Sequence, residues 1–174
     1  MAFPRSPDVT SERKPLLRLS LAAALLAAGG VSLEPAGANP TRAQQLPLEA
    51  QWCLQPQTCI LLEVADEPHE QAKGLQHRAP LPPLRGMWFP FRSAILLRFW
   101  MHQTPSPLDM LFINDGRVIA IEANTTPCAR LPCKSYGPDQ PGDAVIELAA
   151  GEAARLGISV GTAVQIKPLP ASAR

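Results

Sequence analysis

The apolar residues of this chain fall into short runs separated by polar residues and prolines. Runs of this length that are rich in β-branched and aromatic residues predict β-strands, whereas helices need longer stretches with apolar residues every three or four positions. We therefore expect six or seven short strands, drawn from residues 58–64, 86–91, 95–101, 108–113, 118–123, 144–148 and 162–167.

The segments between these runs predict one hairpin and two short helices. Asn114-Asp115-Gly116 joins two of the predicted strands, and Asp-Gly favours the positive φ angles of tight hairpin turns. Asp66 is a candidate N-cap for a helix that ends near Gly74, and residues 151–156 (GEAARL) predict a second helix. The remaining segments are predicted to be loops.

Proline content narrows the fold class. The chain has 20 prolines among its 174 residues, about twice the usual share of ~5%. Interior prolines break helices, so a helical bundle is disfavoured. A doubly wound sheet needs long crossover helices, which the pattern lacks. We predict a mostly β fold, an antiparallel β-sandwich or squat barrel with one or two short helices.

The N-terminus has the pattern of a signal peptide. Basic residues precede an uncharged stretch at 19–33, and Ala36-Gly37-Ala38 supplies small residues of the kind signal peptidase cleaves after. We predict cleavage after Ala38, which assigns residues 1–38 to the signal peptide, 39–57 to a flexible spacer and 58–170 to a single β-sandwich domain.

Membrane attachment and nucleic-acid binding are both disfavoured. The uncharged stretch is shorter than the ~20 apolar residues of a membrane span, although a retained anchor is the alternative to cleavage. The predicted mature chain has 12 basic and 12 acidic residues, so no broad positive surface is available for nucleic acid. We expect an exported protein, periplasmic or extracellular, with no membrane span after cleavage.

Four cysteines form two local pairs in proline-containing segments, Cys53 with Cys59 and Cys128 with Cys133. In an exported chain these pairs predict two disulfides. A four-cysteine zinc site is the alternative, but neither spacing is C-x-x-C and an oxidising compartment depletes thiolates. We expect no metal and no cofactor.

Several short motifs follow one another between about Thr58 and Lys167. They are Gly74-Leu75, Arg78, Gly86-Met87-Trp88-Phe89, Phe99-Trp100-Met101, Thr104, Pro107-Leu108-Asp109, Pro127-Cys128, Cys133, Tyr136, Glu147 and Gly151. Together and in this order they resemble a known family of small, usually exported proteins, the domain of unknown function 192 family. Gln76 stands where that family usually has methionine, and Gln103 where it usually has asparagine. The resemblance implies a mostly antiparallel β-sandwich with little helix, and it implies no established activity.

One polar segment is the best candidate for a binding surface. In FWMHQTPSPLD, alternation along a strand places Trp100, His102 and Thr104 on one face, next to a proline-stiffened corner. Arg78 and Asp109 complete the candidate ligand-binding set. A structural ion pair is the alternative role for these two residues, and core packing is the alternative for the tryptophan.

These residues support three functional hypotheses. The first is a non-enzymatic exported module that binds a small molecule or a saccharide on Trp100 and the polar groups around it. The second is an enzyme that uses Asp109 or His102 as acid or base, although no nucleophile elbow, zinc-protease motif or phosphate-binding loop occurs in the sequence. The third is a structural or partner-binding envelope protein.

Overall fold

The computed structural model of the protein describes residues 42–169, and the predicted signal peptide lies outside this range. Nine strands and two helices follow one another in the described part of the chain. They are β1 Leu48–Gln55, β2 Thr58–Val64, α1 Pro68–Lys73, β3 Arg85–Ile95, β4 Phe99–Trp100, β5 Leu108–Asn114, β6 Arg117–Glu122, β7 Ser135–Tyr136, β8 Gly142–Ala149, α2 Glu152–Arg155 and β9 Ile166–Pro168.

Seven strands form one open, mixed sheet in the order β6-β5-β8-β3-β2-β1-β9, and β4 pairs with β7 in a separate small sheet. The mostly β class with two short helices is confirmed. The large sheet does not close into the barrel considered from the sequence. Its pairs are antiparallel except β2 with β3, which run parallel because α1 and a proline-rich loop connect them.

Both faces of the large sheet are covered. One core contains the alternating residues Leu111, Ile146 and Leu148 together with Trp52 of β1. The other face carries a second core that includes Phe89 and Phe112 and packs against β4 and β7. Because side chains alternate along a strand, neighbouring residues of the central strand β8 point into different cores.

The predicted hairpin is confirmed. β5 and β6 pair directly, with Asn114 opposite Arg117. Asp115 and Gly116 adopt φ angles of 47° and 64°, the left-handed region that a two-residue hairpin turn requires. The predicted strand at 58–64 also forms with those bounds, as β2.

The N-terminal part of the domain differs from the prediction. Residues 48–55, predicted to lie in a flexible spacer, form β1, and the Gln44 side chain donates hydrogen bonds to the carbonyls of Glu70 and Gly74 at 2.9 and 3.0 Å. The folded domain therefore begins well before Thr58. This strand was not predicted because Pro47 precedes it and Gln51 and Gln55 interrupt its apolar residues.

Three predicted elements have shifted or shorter bounds. The segment predicted as a strand at 95–101 contains only the two-residue β4 after β3 ends at Ile95. Similarly, the strand predicted at 162–167 reduces to β9, because Thr162 and Val164 instead bond the turn around Gly116 and Val118. Helix α1 begins after Glu67 rather than Asp66, and the Glu70 carboxylate accepts the Glu67 N–H at 3.2 Å.

Both predicted disulfides are present. Cys53 and Cys59 face each other across β1 and β2, and Cys128 is joined to Cys133 in the loop before β7. The second bond lies beside the small sheet, so it helps to hold the segment that pairs with β4.

Candidate functional site

A cavity of about 350 Å³ opens between the end of α1, the β4 segment and the large sheet. This is near the lower end of the range for small-molecule sites. We refer to it as the α1–β4 pocket. Its lining residues are Gln71, Ala72, Lys73, Gly74, Leu75, Gln76, Phe89, Phe91, Arg98, Phe99, Trp100, His102, Thr104 and Glu147.

Four of these lining residues are aromatic. The Phe99 ring meets Phe89 and Phe91 edge-on, with ring centroids 5.2 and 6.5 Å apart. Trp100 is 51% exposed, and its ring centroid lies 5.6 Å from that of His102. An exposed indole beside a buried cluster of rings provides a rigid apolar surface on which a ligand can stack.

The three residues predicted to share a polar face, Trp100, His102 and Thr104, are brought together at this pocket. A turn rather than one continuous strand positions them. Trp100 ends β4, His102 bridges to Cys128, and the Thr104 N–H donates to the Met101 carbonyl at 3.0 Å.

Gln103 lies in this turn with a φ of 55°. Its N–H donates to the Cys128 carbonyl at 2.7 Å, and its carbonyl accepts the His77 N–H at 2.8 Å. The left-handed region is more accessible to asparagine than to most residues. Gln103 therefore adopts a backbone conformation that an asparagine would occupy more readily.

Glu147 lies at the buried end of the pocket and is 4% exposed. It faces Met87 across β3 and Met110 across β5, two residues with no exposed surface. Within residues 42–169, no hydrogen bond or ion pair satisfies its carboxylate. Burial therefore raises the pKa of Glu147 from the ordinary 4.5 to about 8.

Three basic residues also line the pocket: Lys73 in the last turn of α1, Arg98 and His102. The Arg98 guanidinium binds the Asp139 carboxylate at 2.7 Å and donates to the carbonyls of Leu97 and Pro138. Among the described residues that line the pocket, Glu147 is the only acidic one, so its charge state changes the electrostatic balance of the cavity.

Arg78 and Asp109, the other two candidates, do not line this pocket and do not pair with each other. Arg78 binds both carboxylate oxygens of Glu63, at 2.7 and 2.8 Å. The Asp109 carboxylate accepts the Asn124 N–H at 2.9 Å and the Ala153 N–H at 3.0 Å. Asp109 thus holds a loop and the start of α2, on the sheet face away from Glu147.

Glu147 is not among the binding candidates predicted from the sequence, where it appears only in the family resemblance. A usable signal was present, because Glu147 is the one charged residue in the otherwise apolar run AVIEL. A carboxylate inside a strand that is buried on both faces must either be paired or face a cavity.

Neither a metal cluster nor a membrane helix is found in the described part of the chain. No group of three or more His, Cys, Asp or Glu side chains between residues 42 and 169 is arranged to hold a metal ion. Over the same residues, no helix has the length and apolar character needed to cross a bilayer.

Two solved structures are similar to this chain along nearly their whole lengths. One is a protein of Sinorhizobium meliloti 1021 whose description suggests a transcription regulator; it is 29% identical, with a TM-score of 0.62 over 73% of this chain and 98% of its own. The other is a protein of unknown function from Novosphingobium aromaticivorans DSM 12444, 28% identical, with a TM-score of 0.58 over 77% of this chain and 99% of its own.

No curated protein matches the chain. The profile of the domain of unknown function 192 family, described as "Uncharacterized ACR", matches residues 52–166. This match includes β3, β4 and β8, the strands that contribute to the pocket, and it extends over most of the described domain. The chain therefore belongs to the domain of unknown function 192 family.

Proposed function

We propose that this protein is an exported ligand-binding module whose binding site is the α1–β4 pocket. The observation that carries the proposal is the unpaired Glu147 carboxylate at the buried end of an open cavity. Burying a polar group without a partner is costly, so a fold that retains one beside a cavity is suited to a ligand that supplies the partner.

The pocket has the features of a compact small-molecule site. Trp100 offers an exposed indole face at the rim, while His102 and Thr104 offer polar atoms next to it. Stacking on an indole together with a few fixed polar groups suits a saccharide ring, which has an apolar face and hydroxyl groups at its edge. An envelope saccharide is therefore the first ligand class to test.

Export is part of the same proposal. Two disulfides between nearby cysteines are typical of proteins in oxidising compartments, the periplasm or the extracellular space. The signal-peptide pattern at residues 1–38 gives the same localisation.

An enzyme is the second candidate, because His102 and Glu147 line the same cavity. A carboxyl group with a pKa near neutrality is suited to proton transfer. Asp109, the other acid or base suggested by the sequence, has both carboxylate oxygens occupied by backbone N–H groups. His102 with Glu147 is therefore the pair that an enzymatic function would use.

Indole N–H signals in ¹⁵N-edited NMR spectra test the binding proposal. The chain has three tryptophans, and only Trp100 lines the pocket. Titration of the purified protein with a panel of neutral and amino monosaccharides should shift the Trp100 signal and leave those of Trp52 and Trp88 in place. Persistence of the free sugar spectrum would indicate binding without turnover, whereas new product signals would favour the enzyme.

Two variants make this test specific. Trp100→Ala should abolish binding with little change in the melting temperature, because the side chain is half exposed. Val160→Ala is the matched control, since Val160 is 63% exposed and lies outside the pocket. If the whole panel leaves the Trp100 signal unmoved, or if both variants bind as the wild type does, the proposal is rejected.

A further inference from the structure

Glu147 is the feature of the pocket that restricts its ligand most. Its two nearest cross-strand neighbours, Met87 and Met110, have no group that can donate a hydrogen bond to a carboxylate. In the described part of the chain no other residue donates one either. A donor for this carboxyl group must therefore come from the cavity, either as water or as part of a ligand.

The walls next to Glu147 favour a cation as that donor. Phe89, Phe91, Phe99 and Trp100 all line the cavity, and aromatic rings present a negative face to positively charged groups. A carboxylate in a cavity that aromatic rings also line suits a primary ammonium group, which donates a hydrogen bond to the acid, or an alkylated one, which pairs with it by charge alone. A neutral hydroxyl group would satisfy the hydrogen bond but would gain little from the rings.

We propose that the α1–β4 pocket recognises its ligand through an ammonium group, which pairs with the Glu147 carboxylate among the rings of Phe89, Phe91 and Phe99. This inference rests on the proposed ligand-binding function and specifies the ligand class for the same site. An amino sugar fits both the saccharide proposed above and the ammonium group, because its ring can stack on Trp100 while its amine reaches Glu147.

Ionising Glu147 for this pairing is inexpensive. With a pKa of about 8, about one carboxyl group in ten is ionised at pH 7, so the ligand must offset a factor of about ten in affinity. A buried charge-assisted hydrogen bond offsets more than this. Binding of an ammonium ligand below pH 8 therefore releases a proton from Glu147.

The other charged groups around the pocket limit the ligand to few positive charges. Lys73 from α1, Arg98 before β4 and His102 after it all line the cavity, and β3 and β5 add no charged residue there. Arg98 is already paired with Asp139. A polyamine would place an additional positive charge near His102, so a monoamine should bind better.

Matched pairs of probes test the inference on the purified full-length protein. Glucosamine is compared with glucose, and choline with its uncharged carbon isostere 3,3-dimethylbutan-1-ol. The ammonium member of each pair should bind at least about tenfold more tightly near neutral pH. The pH dependence is measured with choline, because its quaternary ammonium group keeps its charge at every pH. Its affinity should rise by up to about tenfold per pH unit from pH 6 towards 8, because the ionised fraction of Glu147 rises over that range.

Two variants test whether Glu147 causes the preference for the ammonium probes. Glu147→Gln keeps the side-chain shape, removes the charge and should abolish the preference for ammonium, whereas Glu122→Gln on β6, outside the pocket, should preserve it. If Glu147→Gln does not fold, the pH dependence of the wild type still decides the question.

Equal binding of charged and neutral members would overturn the inference while the proposed binding function stands. An affinity independent of pH between 6 and 8 would overturn it in the same way, provided that Glu147 itself titrates in that range. Absence of binding by both ammonium probes would also overturn it, and the neutral saccharides would then decide the proposed function separately.

Discussion

Arg78 and Glu63 form a bidentate ion pair, with guanidinium-to-carboxylate distances of 2.7 and 2.8 Å. The side chains are only 13% and 10% exposed. Glu63 also accepts the Leu46 N–H at 2.9 Å, and Arg78 donates to the Gln44 carbonyl at 3.2 Å. The pair therefore joins the segment before β1 to β2 and to the loop after α1, which makes it a structural element beside the pocket.

Removal of one partner of this pair should destabilise the fold. Arg78→Ala leaves the Glu63 carboxylate buried without its cation, and we expect the free energy of unfolding to fall by about 3–5 kcal/mol. Arg117→Ala is the control, because Arg117 makes an exposed hydrogen bond to the Gly161 carbonyl and should change stability by less than about 1 kcal/mol. Urea denaturation of both variants measures the difference. A weakened ligand affinity in a fully stable Arg78→Ala protein would contradict the structural role.

Asp109 is expected to act on stability in the same way. Asp109→Asn replaces one acceptor oxygen by an N–H₂ group that faces a backbone N–H, at Asn124 or Ala153. We expect a loss of about 1–3 kcal/mol in the free energy of unfolding, because Asp109 is only 1% exposed. Asp143→Asn is a matched control, since Asp143 also accepts a backbone N–H, from Asp115, but at the surface. Equal melting temperatures for the two variants would rule out this assignment.

Strands that have a clear local pattern of apolar and turn residues could be predicted from the sequence. The contacts between distant strands could not. β2 and the β5–β6 hairpin follow directly from apolar runs and an Asp-Gly turn. Arg78 and Asp109 were predicted to belong to one site, but they bind different partners, because a local pattern does not determine contacts between distant segments. The partner of Arg78 is Glu63, on β2, and no local pattern pairs these two residues.

The candidate site was predictable to a similar extent. Trp100, His102 and Thr104 are close in sequence, so their common location at one pocket follows from local geometry. Glu147 reaches that pocket only because β8 pairs with both β3 and β5 in the centre of the sheet. Such non-local pairing is fixed by the whole fold, and sequence periodicity does not determine it.

Export predicts a specific mass for the protein in its native host. Cleavage after Ala38 yields a chain that begins at Asn39 and has both disulfides formed. Intact-mass spectrometry of the protein from the periplasmic or culture fraction should give this mass, less four hydrogens for the two disulfides. Recovery of the full 174-residue chain with detergent alone, or of four alkylatable thiols, would contradict export with cleavage.

Glu147 should make stability depend on pH. Its pKa is about 8 in the folded protein and near 4.5 when exposed, so the folded state holds the proton more tightly than the unfolded state does. Well below pH 4.5 both states are protonated, and the raised pKa of Glu147 then makes no contribution to stability. Between these values the unfolded chain ionises while the folded one does not, and stability falls by about 1.4 kcal/mol per pH unit, roughly 4–5 kcal/mol in total above pH 8.

Comparison of Glu147→Gln with the wild type isolates this contribution, because all other titrating groups are common to the two proteins. The variant should gain stability relative to the wild type as the pH rises, by a few kcal/mol between about pH 5 and 9. Urea denaturation at several pH values measures the difference, and Glu122→Gln on β6 provides the baseline. Parallel stability profiles for wild type and Glu147→Gln would mean that Glu147 titrates normally. In that case the ionisable acid proposed for the pocket would not be held neutral by burial, and affinity for an ammonium ligand would show no rise towards pH 8.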